Sequence, residues 1–268
     1  MLVVALTARG ADRVFEAGPQ KTHLIELFTS EGCSSCPSAE AWLSKLKTES
    51  GLWKDFVPLA FHVDYWDRLG WRDPFAAKEW TARQYQYAAS WKSDGVYTPG
   101  LVLDGREWRE RKVPTPSDEK PGVLKVSVVN EKVSAEFNPA KGEMKNVAKP
   151  DEVGQLLQPK SRPEPSAATG RSWATQPVAA TGYPSGATRV DLHVALLAFD
   201  LNSKVTAGEN SGRNLRQDFV VLSLANEKMA EGKTELSLKM DPRAGAIAAW
   251  ITPANQLEPI QAVGGWLR

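Results

Sequence analysis

The sequence predicts an α/β unit over residues 22–115 followed by a β-rich, sandwich-like region over 120–268. Three observations lead there. A short apolar strand, an amphipathic helix and a second apolar strand follow one another early in the chain, the signature of a β-α-β unit with parallel strands. Both cysteines of the chain, Cys33 and Cys36, sit where the first strand gives way to the helix. Beyond about residue 115 helical periodicity stops and short strand-like runs take over.

Each element has its own justification. His23-Leu-Ile-Glu-Leu-Phe28 is a short, mostly apolar strand, and Thr29-Ser-Glu-Gly32 is a turn in which glycine tolerates unusual backbone angles. From Ser34 to Lys47, Ala39, Trp42, Leu43 and Leu46 fall at i, i+3, i+4 and i+7, one apolar stripe. Pro37 is acceptable only in the first turn, so the helix is expected to start around Cys33 to Cys36. Val57 to Val63 is the second strand. Asp73-Pro74 reads as the start of another helix, with Asp73 as cap and Ala76, Trp80, Arg83 and Tyr87 on one face up to about Ser90. Asp104-Gly105 after the run Leu101–Leu103 is a hairpin signal.

In the second half, Val123–Val129 and Lys132–Phe137 are strands joined across Asn130-Glu131, and further strands are expected near 189–200, 214–224, 233–240, 245–252 and 257–263. Residues 140–187, rich in Pro, Gly, Ser, Thr and Ala, read as a long loop. The apolar run Leu2–Leu6 is cut short by Arg9, Asp12 and Arg13, and reads either as the remnant of an export signal or as an ordinary terminus.

The composition bounds the function. With 33 basic and 32 acidic side chains, no global field favours nucleic acid or an anionic membrane. No segment has the roughly 18 to 20 apolar residues of a membrane helix, so no stable membrane span is expected. With two cysteines in one Cys-X-X-Cys, a disulfide scaffold is excluded. Residues three apart on a helix face the same side, so the two sulfurs can meet. Free N–H groups and the positive end of the helix dipole favour a thiolate there. Cys33 is then the nucleophile, expected to be exposed, and Cys36 the resolving thiol that breaks a mixed disulfide. Metal binding and an inert pair are the competing readings of the same motif.

Thr98-Pro99, about 60 residues further on, strengthens the redox reading. In thioredoxin-like domains such a proline is cis and packs against the disulfide, which makes Pro99 a site candidate. The segments Glu26-Leu-Phe-Thr-Ser-Glu-Gly-Cys-Ser-Ser-Cys-Pro37, Phe61-His-Val-Asp-Tyr-Trp-Asp-Arg-Leu-Gly-Trp-Arg-Asp-Pro-Phe75, Val96-Tyr-Thr-Pro99, Gly208-Glu-Asn-Ser-Gly-Arg213 and Pro259-Ile-Gln-Ala-Val-Gly-Gly265 resemble a bacterial family of thioredoxin-like proteins, usually exported and classed as a domain of unknown function. The resemblance implies a thioredoxin-like domain ahead of the β-rich region and a periplasmic or extracellular location. It implies no substrate.

Other residues qualify as candidates. Glu26, on the strand leading to the cysteines, could move protons for the resolving thiol, although strand alternation can point it away and a solvent-facing Glu is the plainer expectation. His62 and Asp64 share a strand face. His62 could shuttle protons or, with Cys33 and Cys36, complete a copper site of the chaperone type, soft thiolates suiting Cu(I); a core histidine is the plainer reading. Trp66, with Tyr65 and Trp71, could line a peptide surface, although packing is the plainer reading; Thr98 and Trp66 are the substrate-binding candidates. Glu209, Asn210 and Arg213 sit in a Gly-bounded turn whose charges could position a ligand, though a local ion pair is the plainer reading. The expected function is thiol–disulfide exchange through Cys33 and Cys36 with thiols or disulfides of exported proteins, needing no cofactor beyond its own disulfide. Copper handling and a non-catalytic binding module are the alternatives.

Overall fold

The computed structural model describes residues 12–140 and 190–267; the run Leu2–Leu6 and nearly all of the Pro/Gly/Ser-rich stretch lie outside the described residues. In chain order the elements are β1 (Arg13–Glu16), β2 (His23–Thr29), α1 (Pro37–Lys45), β3 (Phe56–His62), α2 (Lys78–Ser90), β4 (Gly100–Leu103), β5 (Arg106–Glu107), β6 (Gly122–Val129) and β7 (Lys132–Pro139). The described residues of the second half hold strands only: β8 (Val190–Ala198), β9 (Leu201–Lys204), β10 (Asn214–Gln217), β11 (Val220–Met229), β12 (Lys233–Ser237), β13 (Ala244–Pro253) and β14 (Gln261–Trp266).

The molecule is β-rich. Its largest sheet has eight strands in the order β14-β13-β8-β11-β3-β2-β4-β5; a four-stranded sheet runs β1-β6-β7-β12, and β9 pairs with β10 as a hairpin. β2 and β3 are parallel, as a helical crossover requires, with Leu27 opposite Ala60. β4 returns antiparallel to β2, and Asp104 and Gly105 make the tight turn into β5 with φ of 48° and 81°. β11 lies parallel to β3, with Val220 opposite Ala60. The eight-stranded sheet therefore runs unbroken across the expected boundary at 115–120, and β1 pairs with β6 on the far side of it.

Strand alternation divides the interior in two. On β8, Val190, Leu192, Val194 and Leu196 face the four-stranded sheet and pack with Leu124, Val126, Val133 and Ile247. Ala195 and Leu197 face the other way and join Phe61, Trp80, Tyr87 and Trp250 beneath α2. The sandwich-like packing expected of the second half is thus built with one end of the large sheet.

The helices depart from expectation at their starts. α1 begins at Pro37, with Cys36 as its N-cap, so both cysteines lie in the turn before the helix. α2 begins at Lys78, not at Asp73-Pro74. Asp73 accepts the Phe75 N–H as a cap would, but the turn does not run on into a helix; its other, buried oxygen accepts from the Glu31 N–H and the His62 ring. From Trp80 onward the expected face holds: Trp80, Arg83 and Tyr87 point into the core. The expected strand at 214–224 is two strands, β10 and β11, parted at Asp218-Phe219, where Phe219 takes a φ of 59°.

Candidate functional site

β2 ends at Thr29, and the chain turns through Ser30 to Cys36 into α1. The turn is built by the Cys33 N–H donating to the Ser30 carbonyl at 3.2 Å and the Cys36 N–H to the Cys33 carbonyl at 3.2 Å. Gly32 is needed where Trp66 packs against it: a Cβ there would lie 2.9 Å from the Trp66 Cβ. Cys33 and Cys36 form a disulfide. Ser34 and Ser35 rise to the surface, but Cys33 is only 1% exposed and Cys36 0%. The exposed Cys33 expected from the motif is therefore a buried one, because three walls close on it. The Ser35 hydroxyl approaches its Sγ at 3.3 Å, and the Thr98 carbonyl oxygen is in contact with that Sγ at 3.8 Å. Trp66 closes the group by donating its indole N–H to the Thr98 hydroxyl at 2.7 Å. The Thr98–Pro99 peptide is cis. Thr98 and Trp66 thus meet at the disulfide.

A fourth contact comes from the second half of the chain. In the turn between β9 and β10, Asn210 is fully buried and its amide donates to the carbonyls of Glu31, at 2.8 Å, and Cys33, at 2.9 Å. Its neighbour Glu209 accepts the Ser34 N–H at 2.9 Å. Arg213 donates to the Asn210 side-chain oxygen at 2.8 Å. Three residues noted only as a Gly-bounded turn are thus part of the cysteine site.

Beneath the turn lies a buried charge cluster that sequence reasoning assembled only in fragments. Glu40, one turn after Cys36 on the same helical face, is 4% exposed and accepts the Thr29 hydroxyl at 2.6 Å. Burial raises its pKa, with the Glu31 and Asp73 charges adding to the rise and His62 opposing it. His62, fully buried, donates from Nδ1 to Asp73 at 2.7 Å, and its Nε2 meets no partner. Burial alone would lower the His62 pKa, but the charge and hydrogen bond of Asp73, with the charges of Glu40 and Glu31, push it up to about 9. Glu31 is held by the Trp71 and Gln217 side chains, each at 2.8 Å. The signal for Glu40 was legible: it is a charged residue at i+4 from Cys36, inside the stripe of Ala39 and Leu43.

Glu26 is elsewhere. Alternation along β2 turns Thr29 towards α1 and Glu26 towards α2, so Glu26 lies on the sheet face opposite the cysteine-bearing helix. It is buried rather than solvent-facing, paired with Arg83 Nε at 2.6 Å and bonded to the Tyr87 hydroxyl. Arg83 itself packs over Phe61, Tyr87 and Trp250. Beside it opens a cavity of about 990 Å³ walled by Trp80, Trp91, His193 and Leu257, which none of the cysteine-site residues lines. His193 there has its pKa pushed down to about 4 by burial and by the Arg83 charge. Asp64 is bonded to Thr81 and takes no part in the cluster. As for the copper ligand set, His62 Nδ1 is engaged by Asp73, and among the described residues no three His, Cys, Asp or Glu side chains are arranged to hold a metal ion. No helix among the described residues is long and apolar enough to cross a membrane.

No curated protein matches this chain. Among solved structures, protein AGR_C_4864 from Agrobacterium tumefaciens, a structural-genomics target, is 21% identical and superposes with a TM-score of 0.58 over 92% of this chain and 95% of its own. At that identity the likeness shows a shared fold. HBP35 of Porphyromonas gingivalis is 12% identical, with a TM-score of 0.45 over 93% of this chain and 76% of its own. Residues 24–141, which carry the disulfide, the buried cluster and Thr98-Pro99, match the family described as "Protein of unknown function (DUF1223)".

Proposed function

We propose that the chain is a thiol–disulfide oxidoreductase of thioredoxin-like design, exchanging electrons with the thiols or disulfides of exported proteins in a periplasmic or extracellular setting. The observation that carries this reading is a disulfide at the N-terminus of α1 whose Cys33 sulfur lies against the carbonyl that precedes Pro99. The topology supports it. β2-α1-β3-α2-β4-β5 with sheet order β3-β2-β4-β5 is similar to the strand and helix order of thioredoxin-like domains. β11, from the far end of the chain, extends this sheet in parallel beside β3. A disulfide is also at home in an oxidising compartment.

In the exchange, a substrate thiolate attacks the Cys33 sulfur, the Cys33–Cys36 bond breaks, and Cys36 leaves as a thiolate. A second substrate thiolate then attacks the mixed disulfide and releases Cys33, leaving substrate disulfide and protein dithiol; the reverse sequence reduces a substrate. Because Cys33 is buried, the Ser34-Ser35 turn must give way before a protein sulfur reaches it. Glu40, rather than Glu26, is the acid placed to give and take the Cys36 proton, since it shares the buried helical face with that residue.

The test is trapping. With Cys36→Ser, mixed disulfides through Cys33 should accumulate on incubation with disulfide-bearing secreted proteins, and with Cys33→Ser they should not. Absence of adducts in both variants would refute exchange through this pair.

A further inference from the structure

We infer that Glu209 biases the Cys33–Cys36 couple towards the reducing side, by holding a negative charge against the turn in which the Cys33 thiolate forms. The inference rests on the redox reading and adds a direction to it. Two neighbouring residues of one turn grip the peptide that links Cys33 to Ser34. Asn210 holds the Cys33 carbonyl at 2.9 Å, and Glu209 takes the Ser34 N–H at 2.9 Å. Asn210 is fully buried and held in turn by Arg213, so the carboxylate beside it cannot drift far from Cys33. Gly208 and Gly212, with φ of 71° and 83°, let the turn present both side chains at once.

The chemistry follows from where charge appears. Reduction adds two electrons, drawn from a substrate dithiol that becomes a disulfide, and one proton; the products are a Cys33 thiolate and a Cys36 thiol. The new anion draws on the N–H groups and the positive field at the start of α1. Glu209 already occupies the Ser34 N–H, in the turn just ahead of α1, and its charge repels the thiolate. Destabilising the thiolate destabilises the reduced protein, so the disulfide is favoured and the dithiol becomes the better electron donor. The other charges near the turn are Glu31, Glu40, His62 and Asp73 beneath it, Arg213 behind Asn210, and Arg111, which reaches the Ser38 hydroxyl beside the turn; all remain when Glu209 is changed. Glu209 is itself exposed, so its influence is screened by salt.

Glu209→Gln keeps an oxygen for the Ser34 N–H and removes the charge. In the full-length reduced protein, the pH midpoint of Cys33 alkylation should fall by about 0.5 unit, which moves the equilibrium with glutathione about threefold towards reduced protein. Glu209→Lys should move both further in the same direction, and the difference from wild type should shrink in about 1 M salt. A wild-type couple that titrates reversibly, with midpoints unchanged in both variants, would overturn the role of Glu209 and leave the redox reading standing. A wild-type protein with no reversible couple would overturn both.

Discussion

Glu40 and His62 carry the account at the scale of single residues. A carboxyl group with its pKa raised by burial, one turn from Cys36, is suited to exchange a proton with the resolving thiol as the disulfide opens and closes. Glu40→Gln removes that exchange and leaves a hydrogen-bond partner for Thr29. Cys36 attack on a Cys33 mixed disulfide should then slow by about 10²-fold near neutral pH, and the rate should lose its acid-side titration; an unchanged rate and pH profile would show that the proton goes elsewhere. His62 makes a separate prediction through stability. Its folded pKa, about 9, lies above its ordinary 6.5. Its contribution is therefore complete below pH 6.5 and is lost as pH rises through about 9. The Tm difference between wild type and His62→Gln should be widest at the acid end of this window and narrow across it. A constant difference would show that the imidazole is not charged in the folded protein. Glu40 was legible from its i+4 spacing to Cys36, but the role of His62 could not be read locally. His62 looked like a core histidine and is one, but its partner Asp73 looked like a helix cap, and only tertiary contact reveals what that carboxylate holds.

At the scale of elements, α2 is fastened to the sheet by Arg83, an ion pair with Glu26 sunk among aromatic rings. Removing one member of such a pair strands the other charge without water, so Arg83→Ala should cost about 3–5 kcal/mol. The double variant with Glu26→Gln should be less destabilised than the sum of the two single changes, since neither buried charge then remains unpaired. Strict additivity in chemical denaturation would rule the pairing out as the fastening. The faces of both helices were legible because 3.6-residue periodicity is dictated locally: Ala39, Leu43 and Leu46, and Trp80, Arg83 and Tyr87, are where the pattern puts them. The hairpin at Asp104-Gly105 was legible for the same reason. The orientation of Glu26 was not, because a strand with apolar residues on both faces has no polar side to mark. β1 and β9 escaped notice because four-residue strands with half-exposed side chains resemble loops.

For the whole molecule, the parallel contact of β11 with β3 matters most. It joins residues 160 positions apart, Val220 and Ala60, and no local pattern encodes it. A reading by segments accordingly expects two consecutive units, while the sheet crosses between them and the second half also supplies the turn that grips the cysteine loop. A shared sheet and a shared site predict one cooperative unfolding transition, with tryptophan fluorescence and far-ultraviolet circular dichroism coinciding. Two separated transitions would mean that the halves are stabilised independently.

The central claim is that Cys33 and Cys36 form a working redox couple. Equilibrating the folded protein in glutathione buffers of graded potential, and counting free thiols by alkylation and mass, tests it most directly. The account predicts a reversible two-electron transition within the range spanned by natural thiol–disulfide couples, roughly −270 to −120 mV. A disulfide that stays closed until the protein unfolds, or that once reduced does not re-form, would contradict it.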